Sequence, residues 1–292
     1  MNQSAMIHRI LAEVIENRPL PGDQYLLRLH APKLAPRIKP GHFAHLDCGP
    51  EFTVPRPFSF LDADPQAGHV DMLYKVVGRG TEVMRHWQKG REVALIAPVG
   101  NQFDLPEKHQ KPLLLAGGIG LAPMLYLGRY LKASGFEPTL MYGTETESPF
   151  ETGLATLPLS SGTTGHSSDA LEATLMDAEK SGITNRLSSL NARPGWFHGF
   201  VTQLATQWLQ SLPEQERNTL YIYTCGPTPM MAAAAKVAEQ FSLKGQASLE
   251  EHMACGFGGC AGCVAPIGTA DNWKHRRVCV DGPVFPLDQV RW

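Results

Sequence analysis

Four cysteines near the end of the chain carry the most specific chemistry in the sequence. Cys255, Cys260, Cys263 and Cys279 are spaced C-x4-C-x2-C-x15-C, and the first three lie in the run CGFGGCAGC. Thiolates are soft ligands, suited to iron–sulfur clusters or zinc far better than to hard cations. The first three cysteines have the spacing of plant-type [2Fe–2S] sites, in which a fourth ligand arrives later in the chain. Gly256, Gly258, Gly259 and Gly262 lie between them. Glycine takes the φ > 0 conformations that a tight loop around a cluster requires, and successive backbone N–H groups form an anion-binding nest. Structural zinc sites usually pair two C-x2-C-like knuckles, whereas the second half here offers Cys279 alone. Two disulfides would suit a small secreted domain, a poor match for a long chain with no secretory signal. An iron–sulfur centre that moves single electrons is favoured, so other parts of the chain must supply or receive them.

The bulk properties bound what those parts are. A length of 292 residues predicts two domains with room for a small third. Hydrophobic residues make up 43% and charged residues 18%, an ordinary globular balance. The net charge of −2 and a pI near 6.6 give no sign of a nucleic-acid-binding surface. The start, MNQSAMIHRILAEV, lacks the charged and then apolar layout of a signal peptide. The most apolar stretch, Pro112 to Leu127, is too short and too broken by Gly117, Gly118, Gly120 and Pro123 to span a bilayer. A cytoplasmic protein without membrane contact is expected.

The first third reads as short strands with turn punctuation: Ile7–Glu16, Gln24–His30, His42–Asp47, Phe58–Asp62, Val70–Val77 and Val93–Ala97. Six such strands predict a small antiparallel barrel, with a helix near Thr81–Gln88. Two pieces of it look chemical. In Arg56-Pro57-Phe58-Ser59, an Arg at a strand start is suited to hold a phosphate through charge-assisted bonds. Ser59 shares a strand face with Pro57 and can bond a planar ring laid along it. In Tyr74-Lys75-Val76-Val77-Gly78-Arg79-Gly80-Thr81, a strand ends in a glycine turn and opens a helix, presenting N–H groups and a hydroxyl to an anion. Each piece also reads simply as a strand, a turn and an N-capped helix.

The middle reads as a nucleotide-binding half. PLLLAGGIGLAPMLYLGRY, from Pro112, is an apolar strand, a glycine turn (Gly117, Gly118, Gly120) and an apolar helix, the layout of a dinucleotide-binding βα unit. Pro123 replaces the third glycine of G-x-G-x-x-G, and a proline in the first helical turn is compatible with helix initiation. The alternative is a buried turn whose glycines serve close packing. Thr139–Gly143 and Leu220–Thr224 read as further strands, the latter running into Cys225-Gly226-Pro227 and a helix Pro229–Gln240. Cys225 is thereby expected at the carboxyl end of a parallel strand, where open α/β sheets bind ligands; a small buried thiol is the plainer possibility. Phe150 to Trp196 is the least regular region. It has a polar stretch Ser160–Ser168, a short surface helix expected over Asp169–Lys180, and Asn185, Arg186 and Arg193 beyond. An Arg near an adenosine ribose favours the 2′-phosphate of NADP.

Taken together, RPFS and YKVVGRGT resemble the flavin-binding barrel of the ferredoxin–NADP reductase superfamily, and CGFGGCAGC…VCVDGPVF narrows the resemblance to the electron-transfer subunits of dihydroorotate dehydrogenase. The resemblance covers nearly all of the chain apart from roughly 150–195. It implies three parts: a small antiparallel flavin-binding β-barrel (1–106), a parallel-sheet NAD(P)-binding domain (107–245) and a small C-terminal [2Fe–2S] domain (246–292). It implies that Arg56, Pro57, Phe58 and Ser59 lie along FAD, and that Tyr74, Lys75, Val76, Gly80 and Thr81 hold its pyrophosphate side. Gly117, Gly118 and Gly120 are implied to bind the phosphates of NAD(P)H. Cys225, Gly226 and Pro227 would lie beside the nicotinamide–flavin stack, with Cys225 a shaping residue and not a nucleophile. Ser59 and Cys225 are the two candidates nearest the reacting ring. Cys255, Cys260, Cys263 and Cys279 would hold the cluster. The partner implied is an FMN-containing dihydroorotate dehydrogenase catalytic subunit, in a heterotetramer. The competing expectations are a reductase for an oxygenase or hydrogenase, and a non-catalytic redox-sensing or zinc-binding subunit. Oxygenase reductases usually have a wider gap before the last cysteine.

Overall fold

The computed structural model describes residues 8–159 and 171–292. By contacts, the chain divides into two units. One comprises 1–103 with 248–285 and 289–291; the other is essentially 104–247 with 286–288.

In the first unit all six expected strands form: β1 (His8–Leu20), β2 (Gln24–His30), β3 (Phe43–Leu46), β4 (Arg56–Asp64), β5 (His69–Lys75) and β6 (Glu92–Val99). They close into an antiparallel barrel in the order β1-β2-β5-β4-β3-β6. Closure leaves no unpaired edge. Inward-facing Val14, Leu27, Leu29, Phe60, Met72 and Leu95 fill the interior. Arg28 and Asp71, directly opposite on β2 and β5, form a bidentate pair with two contacts of 2.7 Å. Helix α1 (Arg79–Met84) follows β5 and is shorter than the Thr81–Gln88 expected from sequence.

The second unit begins with β7 (Lys111–Gly117), whose residues from Pro112 on are all buried, as befits a parallel strand covered on both faces. A 3-10 turn, Gly118–Gly120, leads into α2 (Leu121–Ala133) and then β8 (Thr139–Gly143). A small antiparallel pair, β9 (Thr152–Leu154) and β10 (Ala173–Leu175), comes next. Then come α3 (Met176–Lys180), β11 (Thr184–Ser189), β12 (Phe197–His198), α4 (Val201–Ser211), α5 (Glu214–Arg217), β13 (Leu220–Cys225), α6 (Thr228–Gln240) and β14 (Lys244–Ser248). The sheet runs β12-β11-β8-β7-β13-β14. β7, β8, β11, β12 and β13 pair in parallel. The chain winds outward from β7 through β8 to β11, then returns to place β13 on the other side of β7. The order therefore reverses between β7 and β13, which is the topological switch point where such sheets bind ligands.

The expected helix over Asp169–Lys180 is corrected in part. Asp169 and Ser160–Ser168 lie outside the described residues, Ala173–Leu175 is a strand, and the helix starts at Met176. Antiparallel pairing with Thr152–Leu154 holds this stretch extended, as do two bonds with Asn185, whose Oδ1 accepts the Leu175 N–H and whose Nδ2 donates to the Leu175 carbonyl. Such long-range contacts override a local helical pattern.

The last segment belongs to the first unit. β15 (Val264–Thr269) and β16 (Asn272–Arg277) form a hairpin, followed by α7 (Val278–Asp281) and β17 (Val284–Pro286). Val278–Asp281 is one helical turn, with Asp281 Oδ2 accepting the Arg277 backbone N–H at 2.8 Å. Val290 bridges to Ile267 of the hairpin, and the Arg291 guanidinium lies over Trp273, so the tail packs on this segment.

Candidate electron-transfer centre

The hairpin explains how a gap of fifteen residues closes. Its register pairs Val264 with Arg277, and the Val278 N–H donates to the Cys263 carbonyl at 2.8 Å. Cys263, just before β15, and Cys279, just after β16, are thus brought together and are almost fully buried. Cys255 is half-buried and Cys260 exposed. The thiols pair two by two: Cys255 is a hydrogen-bond partner of Cys260, and Cys263 of Cys279. Among the described residues no three ligands converge on a single point. Two pairs side by side suit a two-iron centre, in which each iron takes two thiolates. Burial opposes ionisation of Cys255, yet N–H groups of Phe257, Cys260 and Gly259 and the Cys260 thiol outweigh it and hold its pKa down to about 6. Burial and then the Cys263 thiol push Cys279 up to about 12. The loop accordingly points N–H groups at sulfur, as the glycines implied. Gly256 and Gly258 take φ of +73° and +85°. Arg277 locks the loop by donating to the Gly258 carbonyl at 3.2 Å.

On the barrel, the two chemical motifs meet. A Cβ on Gly80 would lie 3.4 Å from Arg56 Cγ and 3.3 Å from Cys48 Sγ, so the turn after β5 packs directly against the start of β4. The Arg56 and Arg79 guanidinium groups both lie 5.8 Å from the Phe52 ring centroid. Neither has a carboxylate partner among the described residues; Arg56 Nη1 donates to the Val54 and Pro55 carbonyls, and guanidinium groups are suited to hold a phosphate. Arg79 was not singled out from sequence. Arg56, Pro57, Phe58 and Ser59 are all half-buried. Lys75 and Val76 are half-buried also, whereas Tyr74 is core. Its ring stacks on Tyr25 at 5.3 Å, its hydroxyl donates to Asn17 Oδ1 at 3.0 Å, and burial raises its pKa. The Thr81 hydroxyl is also engaged, accepting from the Val77 and Gly78 N–H groups. These two side chains shape the turn from within. Cys48 is buried among apolar atoms, which pushes its pKa up to about 11.

Beneath the cluster loop lies His45 of β3, buried, with neither ring nitrogen hydrogen-bonded among the described residues. Burial pushes its pKa down, against the opposing pull of the Cys255 and Pro55 carbonyls. In a sequence it looks like any strand residue.

In the second unit, Gly117, Gly120, Cys225, Gly226 and Pro227 come together at the switch point. A Cβ on Gly120 would lie 2.3 Å from the Cys225 carbonyl oxygen, and one on Gly226 would lie 3.0 Å from Gly117 Cα. The close-packing role of these glycines is therefore real, and it sets the start of α2 against the carboxyl end of β13. Cys225 is fully buried, fitting a shaping role. Thr224 beside it, overlooked in the sequence, is buried with Oγ1 unpaired among the described residues. The three residues considered for a ribose phosphate separate. Asn185 is committed to the Leu175 backbone. Arg186 is buried against the Asn185 and Leu157 carbonyls. Arg193 alone stands beyond β11, donating to the Thr146 carbonyl at 3.0 Å and stacked on Trp196 at 4.7 Å.

A barrel, a doubly wound sheet and a four-thiol loop define a flavin- and iron–sulfur-dependent reductase of the ferredoxin–NADP reductase type. A chain of the NADH-dependent reduced ferredoxin–NADP oxidoreductase shares the fold, with a TM-score of 0.77 over 97% of this chain and 90% of that one at 22% identity. The ferredoxin reductase in carbazole 1,9a-dioxygenase shares it at 0.62, over 81% of this chain and 67% of that one at 21% identity. The iron–sulfur cluster binding domain of dihydroorotate dehydrogenase B matches residues 250–291. The dihydroorotate dehydrogenase B (NAD(+)) electron transfer subunit of Shouchella clausii is 30% identical over 95% of this chain and 96% of its own length. That of Clostridium acetobutylicum is 31% identical over 85% and 84%. This chain belongs to the family of dihydroorotate dehydrogenase B electron transfer subunits. FAD and a [2Fe–2S] cluster are its cofactors, and the paired thiols and the Arg56 and Arg79 guanidinium groups fit them. No described helix is long and apolar enough to cross a membrane.

Proposed function

We propose that the chain carries electrons between NAD(P)H and the FMN-containing catalytic subunit of a dihydroorotate dehydrogenase, in the cytoplasm and within a heterotetramer. The observation that carries this reading is the two-by-two pairing of Cys255–Cys260 and Cys263–Cys279 in the same unit as the Arg56–Gly80 contact. FAD, when bound, accepts two electrons at once and releases them singly, which a one-electron cluster requires. The residues of the chain do the rest. Arg56 and Arg79 offer charge to the pyrophosphate, and Ser59 offers a hydroxyl to the ring. Gly117, Gly118, Gly120, Gly226 and Pro227 shape the dinucleotide turn, and Cys225 excludes water beside it. The segments 1–106, 107–245 and 246–292 take the flavin, nucleotide and cluster roles respectively.

The curated relatives are named for NAD(+). In this chain Arg193 has no carboxylate partner among the described residues, and a guanidinium at that end of the sheet favours a 2′-phosphate. Absorption spectroscopy tests the whole reading: flavin and cluster bands are expected, both bleached by a reduced nicotinamide nucleotide. A protein carrying only zinc would sink it. Co-purification with a dihydroorotate dehydrogenase catalytic subunit is the expected partner result. A strong NADH preference over NADPH in the same assay would remove the role given to Arg193.

A further inference from the structure

The strand register places His45 at a junction. On β3 and β4, His45 is directly opposite Pro57 and Phe43 is directly opposite Ser59. Directly opposed residues share a sheet face, so one face carries two residues of the proposed flavin strand and two of its neighbour. The cluster segment lies on that face. A Cβ on Gly256 would be 2.5 Å from His45 Nδ1, so the loop backbone rests on the imidazole with no room for a side chain. A Cβ on Gly100 would meet Phe43, the Gly282 carbonyl and the Pro283 ring, so the return past Cys279 reaches the same strand. The ring is buried with neither nitrogen hydrogen-bonded among the described residues, where an apolar residue would fill the space without burying a polar atom. The groups facing the ring are the Cys255 and Pro55 carbonyls. One belongs to the first cluster ligand, and the other immediately precedes Arg56.

We propose that His45 is a positioning residue that ties the cluster loop to the flavin strand. Its ring spans the Cys255 and Pro55 backbones and fixes the separation and orientation of the cluster relative to β4. The flavin-to-cluster electron step, which falls off steeply with separation, depends on that tie. The inference rests on the cofactor assignment above.

The test uses the full, cofactor-loaded chain with His45→Leu and His45→Asn. His45→Leu is expected to keep its flavin, to shift the electron paramagnetic resonance lines and midpoint potential of the reduced cluster, and to slow cluster reduction by the reduced flavin about tenfold or more, the usual scale for groups that orient metal ligands. His45→Asn, which keeps a polar side chain facing the Cys255 and Pro55 carbonyls, is expected to recover part of the rate. A readout without substitution at this position guards against misfolding. Protein labelled with 15N-histidine is expected to show a histidine nitrogen coupled to the reduced cluster, and the coupling should persist when His252, three residues before Cys255 in the chain, is removed in His252→Ala. Wild-type lines, potential and rate in His45→Leu would overturn the proposal, as would a coupling that vanishes with His252→Ala. A wild-type chain lacking flavin and cluster signals would instead overturn the cofactor assignment itself.

Discussion

The cluster loop and the turn after β7 are both rich in glycine, yet glycine serves different ends in them. In the cluster loop, Gly256 has a left-handed backbone at φ +73° and also lies flat on His45. Few regular elements hold the loop. It is held by the Arg277 bond to Gly258 and by the close approach of Gly256 to His45. In the turn after β7, Gly120 has an ordinary helical φ of −60°, which any residue adopts. It must be glycine because backbone meets backbone: the Cys225 carbonyl occupies the place of a side chain. One loop is shaped around its ligand; the other is preformed by the sheet.

The largest effect should follow from breaking the preformed turn. Gly120→Ala pushes a methyl group into a backbone carbonyl that cannot rotate away, a strain of about 3 kcal/mol or more. Unfolding by urea should report that loss. NAD(P)H should no longer bleach the flavin, while dithionite still reduces both cofactors. If NAD(P)H reduction survives in Gly120→Ala, the turn is not the dinucleotide site. Next in size is Cys279→Ser, aimed at the ligand-shaped loop. It should abolish the cluster absorbance, leave flavin content intact and keep NAD(P)H-driven flavin bleaching near wild type. Loss of flavin along with the cluster would show that the two sites are not separable in the way the contrast requires.

Legibility in the sequence followed the same divide. The four cysteines stand out because coordination imposes spacing, and β2 and β8 were readable to the residue because alternation and flanking turns bound them. The Gly120–Cys225 contact was not readable. It joins positions about a hundred residues apart, and only the sheet order brings them together. Arg79 and Thr81 could not be told apart for a related reason. Both sit in one motif, but the hydroxyl turned inward to cap the turn and the guanidinium turned toward Phe52. His45 gave no signal at all, because a strand residue becomes informative only when the loop above it is known.

A third test addresses the strand on which the cluster loop rests. His42, just before β3, is buried, and its Nδ1 accepts the Lys39 N–H at 3.1 Å. Burial, and then the Lys39 charge, push its pKa down to about 4 from an ordinary 6.5. The unfolded chain binds this proton more readily than the folded one. The stability contributed by the neutral ring is therefore complete above about pH 6.5 and is lost as pH falls toward 4, up to about 3 kcal/mol. Urea unfolding of wild type and His42→Gln at pH 7, 5 and 4 should show wild type losing more between pH 7 and 4. Parallel losses would assign the acid sensitivity to other groups.

The smallest expected effect is the most discriminating. Arg277 makes a half-exposed pair with Asp281 at 3.4 Å and the 3.2 Å bond to the Gly258 carbonyl. Exposed ion pairs contribute little, and one hydrogen bond about 1 kcal/mol. Arg277→Ala should therefore barely move global unfolding. If the cluster loop owes its shape to its ligand, the amides of 256–260 should exchange with solvent faster in the variant once the cluster is removed, and at nearly the wild-type rate when it is bound. If instead the loaded variant exchanges just as fast as the stripped one, the loop is held by protein contacts. It would then be preformed in the same sense as the turn after β7.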